Sequence, residues 1–176
     1  MAEFHEAWFS TQSQKALTRL ARRTGSLSGR VVEVGCWEGR STCALAHAVW
    51  PACVDAVDTW QGSPGEISRD LAEQRDVYAT FTENIADLTR GNVNVHRMGW
   101  RDYFAADDSP VRFCHSDATH TYEEVRDNIE AVLALLVPGG VICGDDALHP
   151  PVIAAARDTL PEVHLEASLW WWQRGD

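Results

Sequence analysis

Lysine is almost missing from this chain of 176 residues: the only one is Lys15, and arginine supplies the rest of the 15 basic residues. Schiff-base chemistry and the phosphate-gripping lysine of a P-loop both need that amine, and Lys15 falls in a segment patterned as an N-terminal helix. Neither chemistry is expected. The five cysteines, Cys36, Cys43, Cys53, Cys114 and Cys143, are odd in number and lack any CxxC spacing. No disulfide framework or zinc site is written in them, and they read as small buried hydrophobes. No apolar run approaches the ~18 residues of a membrane span. The start, Met1-Ala2-Glu3-Phe4-His5-Glu6, has acids where a secretory leader has a basic region, so a cytoplasmic protein is expected. Positive charge is scarce too: 15 basic against 26 acidic residues leave a net charge of −11. That balance repels phosphate backbones and anionic membrane surfaces, so neither nucleic acid nor membrane is expected as a partner. A small-molecule partner remains.

What is present is organised around Val31-Val32-Glu33-Val34-Gly35-Cys36-Trp37-Glu38-Gly39-Arg40-Ser41-Thr42. A β-branched run ending in an acid and a glycine, followed by a second glycine and an Ala/Leu-rich segment, reads as strand, tight turn, helix. Glycine lets the chain turn sharply and lets a ligand touch bare backbone. The helix that follows aims unpaired N–H groups and its positive dipole end at that ligand. Trp37 stands where a dinucleotide fingerprint has its middle glycine, so a pyrophosphate would meet a crowded approach. A ligand carrying a carboxylate and an adenosine fits better. An ordinary βα turn of a parallel sheet is the competing reading.

The length suits one domain with a real core. An N-terminal cover spans 1–28, with Phe4, Trp8 and Phe9 before a helix at 11–24 built on Ala16, Leu17, Leu20 and Ala21. Cys53 to Asp58 reads as a second strand ending in an acid, where such folds hold a ribose hydroxyl; a turn or cap role for Asp58 is the alternative. Residues 61–75, with Gly62, Pro64 and Gly65, form a polar, flexible stretch read as a lid. A helix over Val77, Tyr78, Phe81, Ile85 and Leu88 follows, then a strand from Val93 to Met98 and a turn at Gly99-Trp100-Arg101-Asp102. Val111 to His115 is a fourth strand ending at Asp117. Thr121-Tyr122-Glu123-Glu124 is a capping box that starts a helix, which Pro138-Gly139-Gly140 ends. A fifth strand, Val141 to Gly144, delivers Asp145 and Asp146, and a helix starts near Pro150-Pro151. Val163 to Ala167 and Leu169 to Gln173 read as a closing antiparallel pair. Strands alternating with helices imply right-handed crossovers and a parallel sheet covered on both faces, with ligands beyond the strands' carboxyl ends.

Glu33, Asp58, Asp117, Asp145 and Asp146 therefore collect on one rim. If the fourth and fifth strands are neighbours, about 4.8 Å apart, three carboxylates crowd together and need a shared proton or a cation. Hard oxygen ligands suit magnesium, while helix capping is the competing role for Asp145 and Asp146. His120 precedes the capping threonine; a helix N-terminus disfavours imidazolium, which would leave it neutral as a base must be. A surface role is its alternative. His115 and His149 are weaker candidates, and His115 is expected to face inward. Trp60, Trp100 and Trp170-Trp171-Trp172 offer apolar faces for a sugar ring, or else core or dimer packing.

From Val31 to the final strand pair the chain resembles class I S-adenosylmethionine-dependent methyltransferases. The resemblance rests on Glu33-Val34-Gly35…Gly39-Arg40-Ser41, on Asp58 and Asp117 at strand ends, and on Leu136-Val137-Pro138-Gly139-Gly140. It implies a Rossmann-like α/β domain with a mostly parallel seven-stranded sheet, an antiparallel final strand and helices on both faces. It also implies that Glu33, Gly35, Gly39, Arg40 and Ser41 receive the methionine part of S-adenosylmethionine. Asp58, with Thr59 and Trp60, would hold the ribose, and Trp100 and Arg101, with Asp117, would border the adenine side. Asp117-x-x-His120 with Asp145-Asp146 resembles the metal-dependent sugar O-methyltransferases. In those, the aspartates hold Mg2+ and the histidine takes the hydroxyl proton. Catechol-type O-methyltransferases put a lysine at the base position and an asparagine as last ligand, and this chain departs from them at His120 and Asp146. The short form resembles methyltransferases of mycobacterial methylmannose polysaccharide. The implied partner is a small-molecule or oligosaccharide acceptor, its selection expected from the 61–75 lid, the N-terminal aromatics, or a second subunit, as in a homodimer. An NAD-dependent oxidoreductase and a non-catalytic cofactor-binding subunit are the alternatives.

Overall fold

A computed structural model describes residues 3–175. Met1 and Ala2, the start of the N-terminal cover, and Asp176 lie outside the described residues. Helix α1 (Thr11–Arg23) starts where the Ser10 hydroxyl accepts the Ser13 N–H at 3.0 Å, and buries Ala16, Leu17, Leu20 and Ala21 along one stripe. Strand β1 (Arg30–Val34) and helix α2 (Arg40–Val49) flank the glycine turn, and β2 (Val54–Asp58) follows. The 61–75 stretch holds a short helix, α3 (Ile67–Gln74), with no buried residue, and then comes α4 (Val77–Leu88). The second half runs β3 (Val93–Arg97), α5 (Trp100–Ala106), β4 (Val111–Ser116), α6 (Tyr122–Leu135), β5 (Leu136–Gly144), α7 (Pro150–Thr159), β6 (His164–Glu166) and β7 (Leu169–Gln173).

The strands form a seven-stranded sheet in the order β3-β2-β1-β4-β5-β7-β6. β1 to β5 are parallel, β7 runs antiparallel to β5, and β6 antiparallel to β7. Side-chain alternation sorts the core into two layers. Val32, Val34, Cys114 and Ile142 face Val125, Ile129, Val132, Val152 and Ala156 of α6 and α7. Val31, Val54, Phe113, Val141 and Cys143 face Leu17, Leu20, Leu45 and Ala46 of α1 and α2. Covered on both sides, the central strands are apolar nearly throughout. No helix among the described residues is long and apolar enough to cross a membrane.

Three local expectations are corrected, and for Trp60 and Trp170 the core alternative holds. Gly99 to Asp102 is the entrance to α5 rather than a simple turn. This seven-residue helix is too short to show periodicity and is held by buried Tyr103, whose hydroxyl donates to Asp55 at 2.7 Å. Pro138-Gly139-Gly140 does not end α6, which stops at Leu135; the three residues lie inside β5. They are kept there by Gly139 N–H to Arg174 C=O at 2.9 Å and Arg174 N–H to Gly140 C=O at 2.8 Å. Cys53 is exposed because β2 begins one residue later, at Val54. Trp170 is 1% exposed and Trp60 4%, so both are core residues and not platforms for a sugar.

Gly144 closes β5 beneath Trp170. A β-carbon there would lie 2.4 Å from the Ser116 carbonyl oxygen and 2.5 Å from the Trp170 ring. Gly144→Ala is expected to lose about 1–3 kcal/mol by overpacking. Urea unfolding checks this as a lower midpoint at constant slope; an unchanged midpoint would show that the sheet yields there.

Candidate active site

The chain leaves β1 toward β2 on one side and reaches β4 on the other, so the carboxyl ends of β1 and β4 flank the crevice where ligands enter such sheets. The Gly35 N–H donates to the Val57 carbonyl at 2.9 Å, and the Asp117 N–H to the Val34 carbonyl at 2.7 Å. Gly35 has φ +84°, and a β-carbon on it would lie 2.0 Å from the Asp117 carbonyl oxygen. Only glycine fits. The Asp58 carboxylate accepts the N–H groups of Cys36 at 2.7 Å, Trp37 at 3.0 Å and Trp60 at 2.7 Å. Burial raises its pKa and these N–H groups oppose the rise, with the net above the usual range. Asp58 thus shapes the glycine turn and lines the cleft.

The cleft is a cavity of about 1450 Å³, larger than the ~300–1,000 Å³ typical of a single small-molecule pocket. It has room for two ligands side by side. Of the residues expected to touch a cofactor, Gly35, Arg40, Ser41, Asp58, Thr59, Trp100, Arg101 and Asp117 line it. Three do not. Glu33 is fully buried beneath the turn, accepting from the Thr42 hydroxyl and meeting His115 Nδ1 at 3.1 Å. Burial lowers the His115 pKa, but the bond to Glu33 and that carboxylate's charge outweigh it and leave the pKa raised. Gly39 is the left-handed N-cap of α2, packed under Phe81. Trp60 sits among Tyr78 and Phe81, its indole N–H donating to the Trp37 carbonyl at 2.8 Å. These three support the turn from behind.

At the other end of the cleft, pairing of Ser116 with Gly144 brings the acids after β4 and β5 together. His120 Nε2 lies 2.8 Å from Asp146 Oδ2 and 3.6 Å from Asp117 Oδ1. Asp117, His120 and Asp146 each offer a ligand atom within 4.8 Å of the others. Asp145, expected in that group, lines the same cleft but is turned inward at 8% exposure, its Oδ1 without a partner. Burial first, and the charge of Asp117 second, push the Asp145 carboxyl up to about 6. The bond to His120 instead holds Asp146 below the usual carboxylate range.

His120 is not the neutral imidazole that its place before a helix implied. Burial pulls its pKa down, but hydrogen bonds to Asp117 and Asp146 and the charges of Asp117 and Glu66 push it up to about 11. Three carboxylates outweigh a helix-end dipole of about half a charge. His149 stands edge-on to it at 6.0 Å between ring centroids. Glu66 was not legible in the sequence, nor were the polar ties of the N-terminal segment. There the His5 N–H donates to Glu38 at 2.7 Å, the Trp37 indole to Glu6 at 2.9 Å, and Arg40 stacks on Phe4 at 4.8 Å. The aromatics at Phe4, Trp8 and Phe9 were the only signal, and all three line the cleft.

Strand order, glycine turn and rim of acids define a doubly wound α/β domain with its cleft at the carboxyl edge of the sheet. The model of the methyltransferase-domain family matches residues 32–147, and the chain belongs to that family. No curated protein matches the chain. Among solved structures it is similar to the O-methyltransferase NovP, at 20% identity and TM-score 0.67 over 94% of this chain and 80% of that one. It is similar to CalS11, a TDP-rhamnose 3'-O-methyltransferase of calicheamicin biosynthesis, at 17% identity and TM-score 0.66 over 96% and 82%. It is also similar to the O-methyltransferase TomG of Streptomyces achromogenes in complex with SAM, at 17% identity and TM-score 0.68 over 95% and 81%. At these identities the likeness is one of fold.

A buried acid with a raised pKa costs stability wherever it must ionise. The folded protein keeps a proton on Asp145 up to pH about 6, whereas the unfolded chain releases it near pH 3.9. Stability is therefore lost as pH rises through this window. In the cation-free protein, Asp145→Asn is expected to stabilise by on the order of 2 kcal/mol above pH 6 and by little below pH 4. Urea midpoints at pH 4 and pH 8 check it; the same gain at both would mean ionisation is not the cause.

Proposed function

We propose that this protein is an S-adenosylmethionine-dependent O-methyltransferase acting on a hydroxyl of a saccharide or glycosylated small molecule, with a divalent cation, Mg2+, at the acid cluster. One observation carries the reading: Asp117, His120 and Asp146 converge in the same cleft as the glycine turn. The turn offers the methionine carboxylate the N-terminus of α2 with Ser41 and the cation of Arg40. Asp58 and Thr59 face the ribose, and Trp100 offers the adenine a flat apolar wall. TomG, with the same fold, is in complex with SAM.

S-adenosylmethionine supplies an electrophilic methyl group on a sulfonium. The acceptor oxygen forms the new C–O bond while the S–CH3 pair returns to sulfur, and the hydroxyl proton passes to Nε2 of His120. The residues present fit a hard cation: the carboxylates of Asp117 and Asp146 converge beside the buried Asp145 Oδ1, which lacks a partner, and His120 stands at their edge as the base. A bound magnesium would lower the hydroxyl pKa and draw the charge of Asp117 and Asp146 away from His120, whose proton those charges retain. The cleft walls orient the oxygen against the methyl group, which itself lowers the barrier.

The acceptor class follows from what stands at the base position. No lysine is near, so the catechol-type arrangement is absent, and an imidazole suits an aliphatic hydroxyl whose proton must be removed. CalS11, of the same fold, acts on TDP-rhamnose. Phe4, Trp8 and Trp37 add apolar faces at the mouth of the cleft.

Calorimetry is expected to show S-adenosylhomocysteine binding and no NAD binding. His120→Ala is expected to lower kcat for saccharide methylation by about 10²–10⁴-fold without changing S-adenosylhomocysteine affinity. Chelator is expected to abolish turnover and Mg2+ to restore it. Full turnover by His120→Ala and Asp145→Ala in chelator would overturn the cation and base roles.

A further inference from the structure

Glu66, just before α3, reaches across the cleft to the loop after β4. Its Oε2 lies 3.0 Å from His120 Nδ1, and its Oε1 accepts the His120 backbone N–H at 3.3 Å. One carboxylate thus grips ring and backbone of the same residue. The segment carrying Glu66 meets that loop a second time, where the Ser63 hydroxyl donates to the Ala118 carbonyl at 3.0 Å. Gly62 makes the bend possible: its φ is +67°, and a β-carbon would lie 2.3 Å from the Ser68 carbonyl oxygen. Because α3 buries no residue of its own, polar contacts of this kind carry much of its seating.

A carboxylate facing an imidazole nitrogen only accepts, and a neutral imidazole has one N–H and one lone pair. While a carboxylate faces each nitrogen, both carry an N–H; were Asp146 turned to a cation, Glu66 would keep the N–H on Nδ1 and leave the lone pair on Nε2, the nitrogen toward the cleft. We propose that Glu66 is the positioning residue for His120: it fixes the ring and its tautomer so that Nε2 is presented to the acceptor hydroxyl. The base is then complete only when segment 61–75 is seated. The proposal rests on the reading of His120 as base and adds the device that makes it one.

Two measurements test it, and they separate this proposal from the reading beneath it. The first needs no acceptor. Proton NMR of the 15N-histidine-labelled, cation-free protein is expected to show a downfield, slowly exchanging Nδ1–H of His120 that vanishes in Glu66→Ala. Its survival in Glu66→Ala would overturn the proposal. The second uses TDP-rhamnose and methyl α-mannopyranoside as acceptors. Glu66→Ala is expected to lower kcat by about 10- to 100-fold, as removal of an orienting partner does, with S-adenosylhomocysteine affinity unchanged. Glu66→Gln, whose amide oxygen still accepts, is expected to lose less and guards against misfolding of the alanine variant. In a His120→Ala background, Glu66→Ala is expected to cost nothing further. An equal loss in that background would make Glu66 a mere anchor of the segment. Full turnover by His120→Ala alone would reject the base role, leaving the NMR arm to judge the contact itself.

Discussion

Gly35 lies so close to the backbone of Asp117 that no side chain fits between them, and the rest of the site depends on this contact. It welds the turn after β1 to the loop after β4. The residues around the glycine turn and those of the acid cluster are thereby held in one register. Backbone hydrogen bonds from Gly35 to Val57 and from Asp117 to Val34 close the same junction. A substitution at Arg40 or Ser41 changes the lining of the cleft, whereas one at Gly35 separates its two halves.

Electrostatics explains why the site is built from strand ends. The sheet brings Asp117, Asp145 and Asp146 close together, with His120 against Asp117 and Asp146 and with His115, His149 and the Ser168 hydroxyl giving further compensation. Such a cluster works against stability in a chain whose net charge is already −11. Elsewhere the buried carboxylate of Glu33 is engaged on both sides, by the Thr42 hydroxyl and by His115 Nδ1. The acids that remain strained are those in the cleft, where the proposed cation would sit.

Much of the fold was legible because its signals are local. The apolar alternation of β1, the Ser10 and Thr121 caps and the proline-led start of α7 each need only a few neighbouring residues. The same is true of Asp117, Asp145 and Asp146, whose place at strand ends follows once the strands are found. Glu66 is 54 residues from His120, and Glu38 meets His5 across a comparable gap. No periodicity joins such pairs, so composition read the Glu66 segment only as a polar stretch. Helix α5 failed for a related reason: seven residues hold two turns, and its anchor is Tyr103 packing on β2, a contact made in three dimensions.

By itself the sequence determined the alternation of strand and helix, the glycine turn, the acids at the strand ends and the lack of a lysine base, since each is a matter of which residue stands beside which. Tertiary structure decided which of those residues share a cleft. It put Glu33, Gly39 and Trp60 behind the turn and Asp145 inward of the cluster. It also set the charge of His120, because a titration depends on distances to carboxylates from three separate segments, and only folding fixes those distances.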